Sequence, residues 1–215
     1  MRNYYQEQLE NLNRELIKMG AACEEIIDLA AQSLTECGRT LEEKTAQVGA
    51  VIDQSERTIE NICLKLLLRQ QPVAKDLRQI SAAMKMITDM ERIGDQAEDI
   101  VDLVPKMEKD AGEDGLVLQK MAQAAKNMVT EAVDAYVRQD LQLAQKVMAD
   151  DDIVDDYFTA MKSGIIRLVA QKPDEGEFAL DLLMIAKYFE RIGDHCTNIA
   201  EWVVFSLTGI HESCQ

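Results

Sequence analysis

The chain is expected to be all-α: two three-helix bundles in tandem, related by an internal pseudo-symmetry. Three observations carry that expectation. Apolar residues recur at three- and four-residue steps, the period of one face of a helix. Only 3 prolines and 10 glycines punctuate 215 residues, too few for the many turns of a strand-rich fold. The phrase Glu-Arg-Ile-Gly-Asp stands at 91–95 and again at 190–194, 99 residues on (190 − 91). Its surroundings, Met-Glu-Arg-Ile-Gly-Asp-Gln-Ala-Glu-Asp-Ile and Phe-Glu-Arg-Ile-Gly-Asp-His-Cys-Thr-Asn-Ile, stay in step without a gap. A unit repeated in register decides architecture before any single element does.

The elements follow in order. Leu9, Leu12, Leu16, Met19, Cys23, Ile26, Ala30 and Leu34 trace one stripe of a long first helix. Cys-Gly-Arg-Thr at 37–40 breaks it, and Thr40 with Glu43 reads as a capping box for the second. That helix runs to about Arg69 with Val48, Val51, Ile52, Ile59, Ile62, Cys63, Leu66 and Leu67 on its apolar side. Gln-Gln-Pro at 70–72 turns the chain, because the residue before proline avoids helical geometry. A third helix is expected from about Val73 to Val104, closed by Pro105. Lys-Asp-Ala-Gly-Glu-Asp-Gly at 109–115 divides the chain into units of 1–110 and 111–215. Beyond it helices are expected over about 116–137, 140–171 and 177–207, with Lys-Pro-Asp-Glu-Gly at 172–176 turning the chain. Long helices joined by short turns pack antiparallel to their neighbours.

Composition narrows function. The 39 acids against 23 bases leave a formal charge of −16, and a nucleic-acid binder needs the opposite sign to displace counterions. Protein partners or cations suit the chain better. The five cysteines lack Cys-x-x-Cys spacing, and Cys23, Cys63 and Cys196 fall on apolar stripes, which reads as reduced core thiols in a cytoplasmic protein. The opening Met-Arg-Asn-Tyr-Tyr-Gln-Glu-Gln has no apolar h-region, so no signal peptide is expected. No apolar stretch approaches the roughly 20 residues that span a bilayer, which leaves peripheral docking on a membrane protein as the expected form of any membrane contact.

The repeated phrase carries chemistry as well as symmetry. On a helix that turns through about 100° per residue, Glu91, Asp95, Glu98, Asp99 and Asp102 share an arc of about 100°. Glu190, Asp194, Thr197, Asn198 and Glu201 take the same angles in the second copy, again with oxygen-bearing side chains only. Like charges one turn apart repel by a few tenths of a kcal/mol per pair, so solvated faces usually alternate sign. A hard cation reverses that repulsion, and carboxylate oxygens suit Mg²⁺, Ca²⁺, Mn²⁺ or oxidised iron. Zinc is a further occupant such a site would accept. A plain acidic surface remains the alternative reading of the same arcs. A facing helix must complete coordination, and Asp151 with Asp155 offers a second acidic pair. The corresponding stretch of the first half, Gly49 to Asp53 with Glu56 and Glu60 following, has a glycine where one acid is expected.

Other constellations fall away. His195 lies off the acidic arc, as a surface or packing histidine, and His211 stands in the tail, so no Glu-x-x-His pair of the di-iron type exists. No phosphate-binding glycine loop or nucleophile–base motif is present. Gly94 and Gly193 are expected to let helices approach closely, Arg92 and Arg191 to border the acidic arc and neutralise it without metal, and Met84, Met86, Met90, Met161 and Met184 to fill the core.

These residues resemble the PhoU family. The resemblance rests on both Glu-Arg-Ile-Gly-Asp phrases, Arg69-Gln-Gln-Pro-Val-Ala-Lys-Asp-Leu-Arg78 between them, Asp-Asp-x-x-Asp at 151–155 and the Ile-Gly-Asp-His-Cys-Thr-Asn-Ile ending, and it covers essentially the whole chain. It implies two three-helix bundles, each holding a metal ion or cluster. By position the ligands would be Glu91 and Asp95 with Asp53 in one half, and Glu190 and Asp194 with Asp151 and Asp155 in the other. Asp99 and Asn198 match a further position that is usually Asn, and Gly49 departs from the pattern, which implies a first site poorer in ligands. The resemblance also implies a homodimer that restrains phosphate uptake and phosphate-starvation signalling by contacting the phosphate transporter's ATPase and the sensor histidine kinase. A carboxylate-bridged metalloenzyme and a metal-free helical scaffold are the competing readings.

Overall fold

In the computed structural model, residues 2–36, 38–70, 74–104 and 112–210 are described. They form six helices: α1 (Arg2–Ser33), α2 (Arg39–Gln70), α3 (Ala74–Leu103), α4 (Gly112–Arg138), α5 (Leu141–Gln171) and α6 (Gly176–Thr208). Among the described residues there is no strand. The proline turn at 72, Pro105, Cys37, His211 and Cys214 lie outside the described residues.

Local chemistry explains several helix ends. Asp140 caps α5, its carboxylate accepting from the backbone N–H of Gln142 and Leu143 at 3.0 Å each. A short 3₁₀ turn, Pro173–Glu175, joins α5 to α6 with proline at its start, where a missing N–H costs nothing. Gly209 ends α6 at φ 78°, a left-handed conformation that glycine adopts without strain, and its N–H donates to the Phe205 carbonyl.

Two sequence-based boundaries need correction. Thr40 is not the cap of α2, because the helix already begins at Arg39. The Gly38 carbonyl accepts from the N–H groups of Leu41 and Glu42, so the capping position lies upstream, and Glu43 pairs with Arg39 instead. Helix α4 begins at Gly112 rather than near 116. Glycine is tolerated in an opening turn, and Asp114 there suits the positive end of the helix dipole.

Each half folds antiparallel on itself, and the halves meet through α1 with α4 and α3 with α6. Helices α2 and α5 lie on the outside of this arrangement. The pairing of α3 with α6 is antiparallel: Lys85 lies over the Trp202 ring, and Asp89 meets His195 and Asn198. The two Glu-Arg-Ile-Gly-Asp phrases therefore run alongside each other at the junction. Asp28 bonds Lys126 across α1 and α4, and the Tyr136 hydroxyl donates to the Gln79 carbonyl at 2.9 Å. The buried residues of both halves form one continuous cluster, with Tyr136 and Phe189 its largest fully buried side chains. Burying each such side chain contributes about 1.5–3 kcal/mol, so the junction is part of the core rather than a hinge.

Cys23, Cys63 and Cys196 are buried as free thiols, as their positions on the apolar stripes imply. The methionine expectation holds for Met86, Met90 and Met161, and Met84 packs partly buried against the core, but Met184 is exposed.

Candidate functional site

The packing of α2 on α3 opens a cleft of about 280 Å³, lined by Gly49 and Asp53 on α2 and by Glu91, Gly94, Asp95 and Glu98 on α3. Three of the sequence-predicted residues of the first half, Asp53, Glu91 and Asp95, are thus brought together. Close helix approach makes this possible: a Cβ on Gly94 would stand 3.1 Å from Ile52 Cδ1. The cleft is electrostatically strained. Burial raises the carboxyl of Glu91, and the neighbouring Asp95 charge raises it further, while Arg92 opposes the shift. Arg92 reaches Glu91 at 3.4 Å and Asp95 at 3.2 Å, the neutralising position its sequence neighbourhood suggests. Glu98 is raised by burial first and then by Asp95 and Asp53. Glu56, one turn beyond Asp53, is raised by burial and by Glu60.

In the second half α5 and α6 make the equivalent approach. A Cβ on Gly193 would stand 2.9 Å from Asp151 Oδ1, so the glycine lets the carboxylate lie against the helix backbone. Asp151 is pushed up to about 6 by burial and by the charges of Asp194, Asp155 and Glu190, with the Thr197 hydroxyl working the other way. Asp155 is raised by burial and by Asp194. Asp151, Asp155, Glu190 and Asp194 therefore act on one another across the α5–α6 seam.

Asp99 and Asn198 go elsewhere. The Asn198 amide donates to Asp89 Oδ1 at 3.1 Å. Asp99 is exposed, and its charge raises the Tyr188 hydroxyl, after the effect of burial. The acidic arc is wider than one cleft, and its far edge falls on the side where α3 and α6 meet. Pseudo-symmetry relates the two pairs, since Asp89 corresponds to Tyr188 (188 − 89 = 99) and Asp99 to Asn198 (198 − 99 = 99). Glu201, at the end of the second arc, is buried.

His195 is no surface residue: its Nδ1 lies 2.9 Å from Asp89 Oδ1 with both side chains largely covered, which is the packing role. Sequence reasoning missed Lys187, whose ammonium bonds Glu190 and lies 5.4 Å from the centroid of the Phe158 ring. It stands one turn before the arc as drawn from Glu190. Extending the arc backward by one turn would have found it. Its counterpart in the first half is Thr88 (187 − 99), so only the second cleft carries a lysine at this position.

The candidate ligands at both places are carboxylates, whose hard oxygens are the chemistry that Mg²⁺, Ca²⁺ and Mn²⁺ require, and the raised carboxyls of Glu91, Glu98, Asp151 and Asp155 gain most from a cation. Among the described residues, no three Asp, Glu, His or Cys side chains already converge as ion ligands. An incoming ion would have to draw the carboxylates together from facing helices.

Comparison with known proteins matches this geometry at the level of the whole chain. The PhoU domain model matches twice, over residues 16–104 and 118–203. A phosphate-specific transport system accessory protein PhoU homolog from Clostridium acetobutylicum is 31% identical over 210 residues, covering 97% of this chain and 96% of the relative. One from Synechocystis is 32% identical over 214 residues, covering 98% and 94%. The crystal structure of PhoU from Pseudomonas aeruginosa superposes with a TM-score of 0.89 at 29% identity, covering 96% of this chain and all of that one. The fold is shared by the phosphate transport system regulatory protein PhoU from Streptococcus pneumoniae, with a TM-score of 0.87. Two family domains in tandem, six helices and full-length relatives make this chain a member of the PhoU family.

Proposed function

We propose that this protein is a non-enzymatic regulator that restrains phosphate uptake and phosphate-starvation signalling. The observation that carries the reading is the full-length likeness to proteins named as accessory to phosphate-specific transport, with both domains present in tandem. Its partners would be the ATPase subunit of the phosphate transporter and the phosphate sensor histidine kinase, reached from the cytoplasm as a homodimer. No helix among the described residues is long and apolar enough to cross a membrane, so contact with either would be peripheral.

The acidic clefts would hold hard cations. Asp53, Glu91 and Asp95 face one another in the first, and Asp151, Asp155, Glu190 and Asp194 in the second. A bound ion would relieve the repulsion among these carboxylates, which adds to burial in raising Glu91, Asp151 and Asp155, and would tie α2 to α3 and α5 to α6. It would set the stiffness of each bundle and the charge of the surface offered to a partner.

The test is a phosphate-starvation reporter, such as alkaline phosphatase, in the host lacking this protein and grown in ample phosphate. The expected result is a reporter that turns on and is silenced again by this gene. A reporter that stays silent would sink the regulatory reading and leave the family fold alone.

A further inference from the structure

The first cleft has a glycine where the second has an acid. Gly49 on α2 corresponds to Asp151 on α5 (151 − 49 = 102), as Asp53 does to Asp155 (155 − 53 = 102). Taken from sequence, that glycine removes a carboxylate. The structure shows where one comes from instead. A Cβ built on Gly49 would lie 1.8 Å from Glu98 Oε1 and 2.8 Å from Glu98 Cδ. A side chain at position 49 would have to displace the Glu98 carboxylate, which occupies that space.

The facing position completes the exchange. Glu98 on α3 corresponds to Thr197 on α6 (197 − 98 = 99). In the second half the short Thr197 hydroxyl faces Asp151, and the acid comes from α5. In the first half the acid is one methylene longer and crosses from α3 to the bare backbone of α2. Glu98 also lines the cleft shared with Asp53, Glu91 and Asp95, so its oxygens open onto the same space.

We infer that Glu98 and Gly49 form one exchanged unit, in which Glu98 supplies to the first cleft the cation-ligating carboxylate that Asp151 supplies to the second. The class of ligand is a hard divalent cation. The inference rests on the cation reading proposed above and names a residue outside the ligand set carried over from the family. It also removes the expected poverty of the first site, because the carboxylate lost from α2 is regained from α3.

The experiment is a Mn²⁺ titration of the full chain, reading binding equivalents and affinity, beside thermal melts in chelator. Glu91→Gln is the control that disables the first cleft, and Glu190→Gln the second. Glu98→Gln is expected to weaken the same equivalent as Glu91→Gln by about tenfold or more. Gly49→Ala should have the same effect without touching a ligand, since its Cβ displaces the Glu98 carboxylate. The two together should cost no more than either alone. The exchanged pair Gly49→Asp/Glu98→Thr should bind as the unaltered chain does. The inference is overturned, with cation binding intact, if Glu91→Gln removes an equivalent while Glu98→Gln and Gly49→Ala leave it unchanged. It falls together with the cation reading if the unaltered chain takes up no Mn²⁺. The chelator melts identify any variant that has lost its fold, and the exchanged pair then carries the comparison.

Discussion

Asp89 on α3 and His195 on α6 meet at 2.9 Å across the junction of the two halves, and the same Asp89 oxygen accepts from the Asn198 amide at 3.1 Å. Both carboxylate and imidazole are largely covered. This is a polar clasp within the seam, joining the second Glu-Arg-Ile-Gly-Asp helix to the residues just before the first.

Removing the acceptor leaves two partly buried donors unpaired, which costs more than the net value of the bonds. Asp89→Ala is expected to destabilise the protein by about 1–3 kcal/mol. Urea denaturation measures it. Because His195 and Asn198 share one acceptor, Asp89→Ala combined with His195→Ala should cost less than the sum of the two. Full additivity would show that the clasp is not a unit.

The metal-free protein should become more stable as pH falls from neutrality toward about 5. Asp151 is raised from 3.8 to about 6, and Glu56, Glu91, Glu98 and Asp155 are raised too. A carboxyl raised by folding binds its proton more readily in the native state, so protonation stabilises that state. For Asp151 the gain begins as pH drops through 6 and is complete below 4. Melting temperatures in chelator should rise over that window, and Asp151→Asn should raise the melt at pH 7.5 more than at pH 5. A flat profile would contradict the electrostatic picture of the clefts.

Lys187 and a cation should compete for Glu190. The Lys187 ammonium neutralises Glu190 and lowers Asp155 toward its ordinary range. Lys187→Gln is expected to lower the melting temperature in chelator and to tighten Mn²⁺ binding at the second cleft. Calorimetric titration and melting read the two effects separately. Weaker Mn²⁺ binding in the variant would instead show that the lysine organises the cleft.

Cys23, Cys63 and Cys196 should resist alkylation until the chain unfolds. Burial pushes the Cys23 and Cys63 thiols up to about 12 and raises that of Cys196 well above its usual value, so almost no thiolate exists at neutral pH. Peptide mapping after iodoacetamide treatment, with and without denaturant, checks each position. Native-state modification at Cys23 or Cys196 would mean that the seam between the halves opens.

The helices, their order and most of their buried faces were legible in the chain because each depends on residues a few positions apart, although Val51, expected on the apolar side of α2, is exposed. Leu12, Leu16, Met19, Cys23 and Ile26 lie on one face by period alone, and all are buried. The pairing of Glu91 with Asp95 and of Glu190 with Asp194 is likewise a property of one turn of helix. The internal repeat showed that whatever one half builds, the other builds again.

Tertiary structure decided what faces what. Whether an arc residue enters a cleft or the seam depends on the rotation of one helix against two neighbours at once, and that put Asp95 in a cleft but Asn198 on Asp89. Whether Glu98 fills the space over Gly49 depends on the axial offset of α2 against α3, and Lys187 reaches Glu190 where the first half has only Thr88. Periodicity records angle around one axis and nothing about the rotation, offset or separation of a second. The acids could be named from the chain, but the partner each one meets belongs to the packing.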